Sequence, residues 1–187
     1  MGSEMTTLFT ADTHFFHKNI IKYCNRPFNT VEDMNEELIK RWNETVAPDD
    51  LVYHLGDFGL GRAELLSKVR HRLNGRVFLV LGNHDTNITR TKWMNVIRMD
   101  EVYKDELNVC EFSLHHHPVS ETVDPFGLDR WHLVGHIHEK WRINGRQLNV
   151  GVDVNDFRPI SIEKVRADIK EYEILIGGDT RSDHWIC

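Results

Sequence analysis

Five short stretches of this chain carry side chains that bind cations, and each follows an apolar run. They are Asp12-x-His14, Gly56-Asp57, Gly82-Asn83-His84-Asp85, His115-His116-His117 and Gly135-His136-x-His138. A carboxylate and an imidazole on one short loop can grip a single cation. In the third stretch Asn offers a neutral carbonyl oxygen, His a titratable nitrogen and Asp a carboxylate. In an extended segment residues two apart point the same way, so His136 and His138 can face one cavity. Taken singly, each stretch reads equally well as an ordinary strand-to-loop turn, and Asp12 equally well as a helix cap. The repetition at five strand ends is what points to a metal centre. The chain holds 12 histidines in 187 residues, and histidine is the commonest metal ligand.

The elements that must position these groups are legible from periodicity. Apolar runs predict strands over 6–11, 51–55 and 77–81, the last buried on both faces. Thr30 opens a helix as a capping box with Asp33, and Val31, Met34, Leu38, Trp42 and Val46 form its core stripe. A second helix spans 62–73. The order β-α-β-α-β implies parallel strands with right-handed crossovers. Further on, a short helix is expected over 90–96, strands over 102–103, 109–114 and 131–134, and a hairpin turning at Asn144-Gly145. Ser161 is expected to cap a last helix with Ile162, Val165 and Ile169 inward. His54 lies inside a strand and reads as a packed, hydrogen-bonded side chain. The irregular loop over 119–130 is a candidate wall of a substrate site. Arg26, beside the first ligand pair and a turn, could meet a phosphate or sit as an ordinary surface arginine.

Lys and Arg total 23 against 29 Asp and Glu, a net charge of −6. That disfavours long nucleic-acid duplexes as partners, while a local basic patch stays open. No apolar run is long enough to span a membrane, and no secretory signal opens the chain, so a cytoplasmic location is expected. Cys24, Cys110 and Cys187 read as reduced thiols. Residues 1–4 read as an expression scar, 5–176 as one domain and 177–187 as a polar tail.

Taken in order, D-x-H, G-D, G-N-H-D, H and G-H-x-H resemble the motif series of the calcineurin-like metallophosphoesterases, and the likeness spans about 6–161. The resemblance implies an α/β fold in which a β-sandwich of mixed sheets is flanked by helices in four layers. It also implies two divalent cations, one held by Asp12, His14, Asp57 and His138, the other by Asp57, Asn83, His116 and His136. The mixed imidazole and oxygen donors favour Mn, Fe, Zn, Ni or Co over Mg or Ca. The implied reaction is phosphoester hydrolysis by a metal-bridging hydroxide. His84 would assist the leaving group, Asp85 would orient the His84 ring, and Arg26, His17 and His117 would face the substrate. Protein phosphatases of this superfamily carry G-D-x-x-D-R-G and G-N-H-E. Here Gly56-Asp57 is followed by Phe58-Gly59-Leu60-Gly61-Arg62, and the other motif ends in Asp85, which disfavours that activity. Asn25-Arg26-Pro27-Phe28 and Leu55-Gly56-Asp57-Phe58 look closer to compact bacterial or phage phosphoesterases. The expected substrate is a small phosphoester, including nucleotides. Two alternatives are a catalytically inactive binding scaffold on the same fold and a nuclease for short single strands.

Overall fold

The computed structural model of the protein describes residues 5–120 and 130–177. The expected scar, almost all of the expected tail and most of the 119–130 loop lie outside those residues. In chain order the strands are β1 (Thr7–Thr10), β2 (Leu51–His54), β3 (Arg76–Val80), β4 (Glu101–Tyr103), β5 (Leu107–Val109), β6 (Phe112–Leu114), β7 (Trp131–Val134), β8 (Ile143–Asn144), β9 (Gln147–Asn149) and β10 (Ile160–Ser161). The helices are α1 (Ile20–Tyr23), α2 (Val31–Thr45), α3 (Ala63–Arg70), α4 (Arg90–Lys92), which runs into a π-helical turn Trp93–Ile97, and α5 (Ile162–Leu175). One sheet has the order β10-β1-β2-β3-β4, and the other has the order β5-β6-β7-β9-β8. Both are mixed: β1 to β4 pair in parallel with β10 antiparallel, and β6, β7 and β9 pair in parallel with antiparallel edges.

Side-chain alternation along the parallel strands builds two cores. Leu8, Val52 and Val77 stand abreast and pack beneath Met34, Leu38 and Trp42 of α2 and Leu66 and Val69 of α3. One residue further on, Phe9, Tyr53 and Phe78 are in register on the opposite face, stacked at 5.9 and 5.1 Å between ring centroids. Phe9 meets Phe112 of the second sheet edge-on at 5.9 Å. That face, with Leu114, Leu133, Leu148 and Val165, forms the core between the sheets, which α5 closes with Ile162 and Ile169. Burying one such large side chain contributes about 1.5–3 kcal/mol. The caps fall where the sequence puts them: Thr30 Oγ1 accepts the Asp33 N–H and Ser161 Oγ accepts the Lys164 N–H, each worth about 1 kcal/mol.

Three local expectations need correcting. The run 109–114 is not one strand: Cys110, at φ 51, begins a tight turn that folds β5 back on β6. A short apolar run does not reveal an internal reversal. The second hairpin turns at Gly145-Arg146, because Asn144 still pairs with Gln147. Among those two residues only Gly145 has a positive φ, at 57°, which puts the glycine first, as a two-residue type II′ turn requires. Cys24 is a free thiol, whereas Cys110 is disulfide-bonded. Among the described residues no helix is long and apolar enough to cross a membrane.

Candidate metal centre

The C-terminal ends of β1, β2, β3, β6 and β7 open on one side of the molecule, and the loops leaving them bring the five motifs together. These loops leave the strands abruptly. Asp12, His14, Asp57, His136 and His138 all have positive φ, between 51 and 69°. For residues other than glycine this conformation is uncommon and clusters at functional sites. Two glycines let the loops touch. A Cβ on Gly82 would lie 2.3 Å from Asp57 Oδ1, and one on Gly56 would lie 2.5 Å from His116 Nδ1.

The side chains converge acceptor against acceptor. His116 Nδ1 lies 2.7 Å from the Leu55 carbonyl, so it carries the proton, and Nε2 presents a bare lone pair. That lone pair is 3.0 Å from Asn83 Oδ1 and 3.6 Å from Asp57 Oδ2. His136 Nδ1 reaches the same Asn83 oxygen at 3.1 Å. His14 Nε2 is buried without a hydrogen-bond partner and lies 3.5 Å from Asp57 Oδ2. Asp12, His14 and His138 bring ligand atoms within 4.8 Å of one another, as do Asp12, Asp57 and His116. Converging lone pairs repel unless positive charge lies between them, so the donor set fits divalent cations. Asp57 stands at the middle of the group, within reach of both halves.

Burial makes the same point. It pushes the Asp12 carboxyl up to about 8, drives the His14 imidazole far down and lowers His116 to about 4. Neutral imidazoles are the form that binds a cation, and a cation would reverse the penalty on a buried carboxylate. Burial also lowers His138, but hydrogen bonds to Asp153 and Cys24 and the charge of Asp12 outweigh it and raise it to about 10.

Several expected roles change. Asp85 does not hold the His84 ring. It is fully buried, and its carboxylate accepts the N–H groups of Asp57 at 2.7 Å, Phe58 at 3.1 Å and Gly82 at 2.9 Å. It ties the β2 loop to the β3 loop. Arg26 is not a substrate contact. Its side chain is 0% exposed and forms a bidentate pair with Asp153 at 2.7 and 2.8 Å, and it also donates to the carbonyls of Asp12 and Thr13. His115, given no role of its own within the histidine run, turns away from the centre toward His132 and Glu106. His54 is packed as expected. The Thr13 hydroxyl donates to the Phe58 carbonyl at 2.8 Å, so at 2.9 Å it accepts from His54 Nε2.

Other expected residues stand at the centre. The His84 N–H donates to Asp57 Oδ1 at 2.9 Å, and its part-exposed ring lies 5.2 Å from the His14 ring and 5.4 Å from the His17 ring. His17 Nδ1 is 3.3 Å from His14 Nδ1. His117 is exposed, with its ring 4.3 Å from that of His136, close enough to share a cation with His116 and His136.

Two residues escaped the sequence reading. Asp153 Oδ2 lies 2.9 Å from His138 Nδ1. Asn149, fully buried, donates to the carbonyls of His138 and Trp141 and fixes the loop after β7. Both belong to Asn149-Val150-Gly151-Val152-Asp153, a sixth apolar strand end with a glycine and polar groups, and that was the signal available.

A two-sheet α/β sandwich with imidazoles, carboxylates and an amide gathered at its strand ends has the makings of a metalloenzyme centre. The calcineurin-like phosphoesterase family model matches residues 5–141, and the chain belongs to that family, whose members typically bind two divalent metals. It is 39% identical over 174 residues to an uncharacterized protein of Methanocaldococcus jannaschii, covering 88% of this chain and 92% of that one. It is 37% identical over 83 residues to the Gene 66 protein of Mycobacterium phage L5, covering 42% of this chain and 39% of that one. Among solved structures it resembles a protein of unknown function from Aquifex aeolicus, with a TM-score of 0.67 and 25% identity over 88% of this chain and 99% of that one.

Proposed function

We propose that this phosphoesterase works through two divalent transition-metal ions sharing Asp57, with His84 assisting departure of the leaving group. The observation that carries the reading is the crowding of His14 Nε2 and His116 Nε2 around Asp57 Oδ2, at 3.5 and 3.6 Å. Asp12, His14 and His138 would complete one site, and Asn83, His116 and His136 the other. When bound, such a pair supplies charge neutralisation at the phosphoryl group and a nucleophile from water near neutral pH.

The chain's own groups do the rest. His84 is anchored by its backbone to Asp57 while its ring stays part-exposed at the open side of the cluster. From there an imidazolium can donate a proton to a departing alkoxide. His17 flanks that ring and His117 flanks His136, so both stand where a bound phosphoester would lie. Mixed imidazole and oxygen donors favour Mn, Fe, Zn, Ni or Co. The expected substrates are small phosphomonoesters or phosphodiesters, nucleotides among them.

The test is elemental analysis of protein reconstituted with each metal and desalted, alongside hydrolysis assays on chromogenic mono- and diesters and nucleotides. About two ions per chain and metal-dependent turnover are expected. A limit of one ion sinks the shared-carboxylate arrangement, and two ions with no turnover on any ester sink the hydrolytic role.

A further inference from the structure

A groove of about 780 Å³ lies between the start of α3 and the start of α4, lined by the chain segments that follow the loops after β2 and β3. Its walls include Arg62, Lys68 and Lys92, with Asn87 and Thr89 between them and Glu64 as the acidic lining residue. All three cations are exposed, and no ion pair ties them among the described residues. Neighbouring arginines behave differently. Arg70 and Arg76 both engage Asp100, and Arg72 engages Glu36. Three cations against one carboxylate make a positive lining on a chain whose net charge is −6, and a concave wall concentrates that field.

The placement gives the charge a meaning. Asn87 and Thr89 follow His84 by three and five residues, and Arg62 follows Asp57 by five. Lys68 lies six residues beyond Arg62, roughly 9 Å along a helix at 1.5 Å per residue. Cations spread over that length can engage more than one phosphate. Exposed Leu65 and part-buried Ile88 add apolar surface between the charges.

We propose that this groove binds further phosphates of the substrate, next to the one being cleaved, and that the substrate is a short single-stranded nucleic acid. The inference rests on the phosphoesterase reading. The groove would hold the strand through its backbone, with little dependence on base sequence.

The test is binding of a fluorescently labelled tetrathymidylate to the metal-loaded protein across a salt series, with p-nitrophenyl ester hydrolysis measured in parallel. The variant carries Arg62→Gln, Lys68→Gln and Lys92→Gln together. Arg62 makes no side-chain cap at the start of α3, so its loss removes no helix bond. The variant is expected to bind the strand roughly tenfold more weakly at low salt. The slope of log affinity against log salt should fall by about 2, because each single-strand phosphate contact contributes about 0.7. Hydrolysis of the single-phosphate ester should stay within about twofold of wild type, since the groups replaced recognise phosphates that this ester lacks. Unchanged affinity and slope, or no strand binding by wild type, overturns the proposal. Inorganic tripolyphosphate displacing the label at lower concentration than unlabelled tetrathymidylate overturns the strand assignment in favour of a compact polyphosphate. Salt-dependent strand binding lost in the variant, with no ester cleaved by wild type, supports the groove and sinks the hydrolytic reading instead.

Discussion

Asp153 Oδ2 lies 2.9 Å from His138 Nδ1, and the same carboxylate is gripped on its other side by Arg26. The pair fixes which nitrogen of His138 faces Asp12 and His14. A carboxylate behind a metal-binding imidazole typically tunes affinity by 10–100-fold.

Asp153→Asn should therefore weaken one metal site by about 10–100-fold while the Asn83, His116 and His136 site keeps its affinity. Calorimetric titration with Mn or Co resolves the two sites. Equal weakening of both would show that Asp153 supports the whole cluster rather than His138.

Asp57→Ala should remove both sites together, because Asp57 Oδ2 lies within 3.6 Å of ring nitrogens from both halves. His14→Ala should weaken mainly one. Metal titration of the two variants checks this, and two tight sites surviving in Asp57→Ala would end the shared-carboxylate assignment.

His84→Gln should retain its metals and lose turnover in a manner set by the leaving group. General acid assistance is worth about 10²- to 10⁴-fold. A p-nitrophenolate leaves without a proton, whereas a ribose oxygen needs one, so nucleoside esters should suffer far more. Rates on both ester types, with metals assayed in parallel, give the answer. An equal loss on the two would mean that His84 stabilises the phosphoryl group instead.

Arg26→Met should cost stability rather than substrate affinity. Breaking a buried pair by removing one partner costs about 3–5 kcal/mol, and Arg26 and Asp153 are 0% and 3% exposed. Urea unfolding measures the loss. A stable variant with a raised KM would return Arg26 to the substrate.

Asp85→Ala should also destabilise, by about 3 kcal/mol or more, since a buried N–H left without its acceptor costs about 1–3 kcal/mol and Asp85 accepts three. Its leaving-group dependence should match that of wild type. A His84-like dependence would mean that Asp85 does act on the ring.

The residue types at the strand ends, and the strands and helices that carry them, were legible in the sequence because they rest on local rules. Apolar runs marked β1 to β3, spacing marked the Met34, Leu38 and Trp42 stripe, and Thr30 and Ser161 marked helix starts. The motif series identified the candidate ligands Asp12, His14, Asp57, Asn83, His116, His136 and His138. Tertiary structure alone decided who holds whom. Arg26 and Asp153 are 127 positions apart, and nothing in the neighbourhood of either announces the other. Asp85 follows His84 in the chain but points into the interior, because its nearest unsatisfied donors are backbone N–H groups of a different loop. His115 and His116 are adjacent and face opposite ways, since successive residues leaving a strand alternate sides and only one side opens on Asp57. Sequence spacing sets the types and the local period. Which buried polar groups find one another depends on how the strand ends converge, and that is settled only when both sheets have packed.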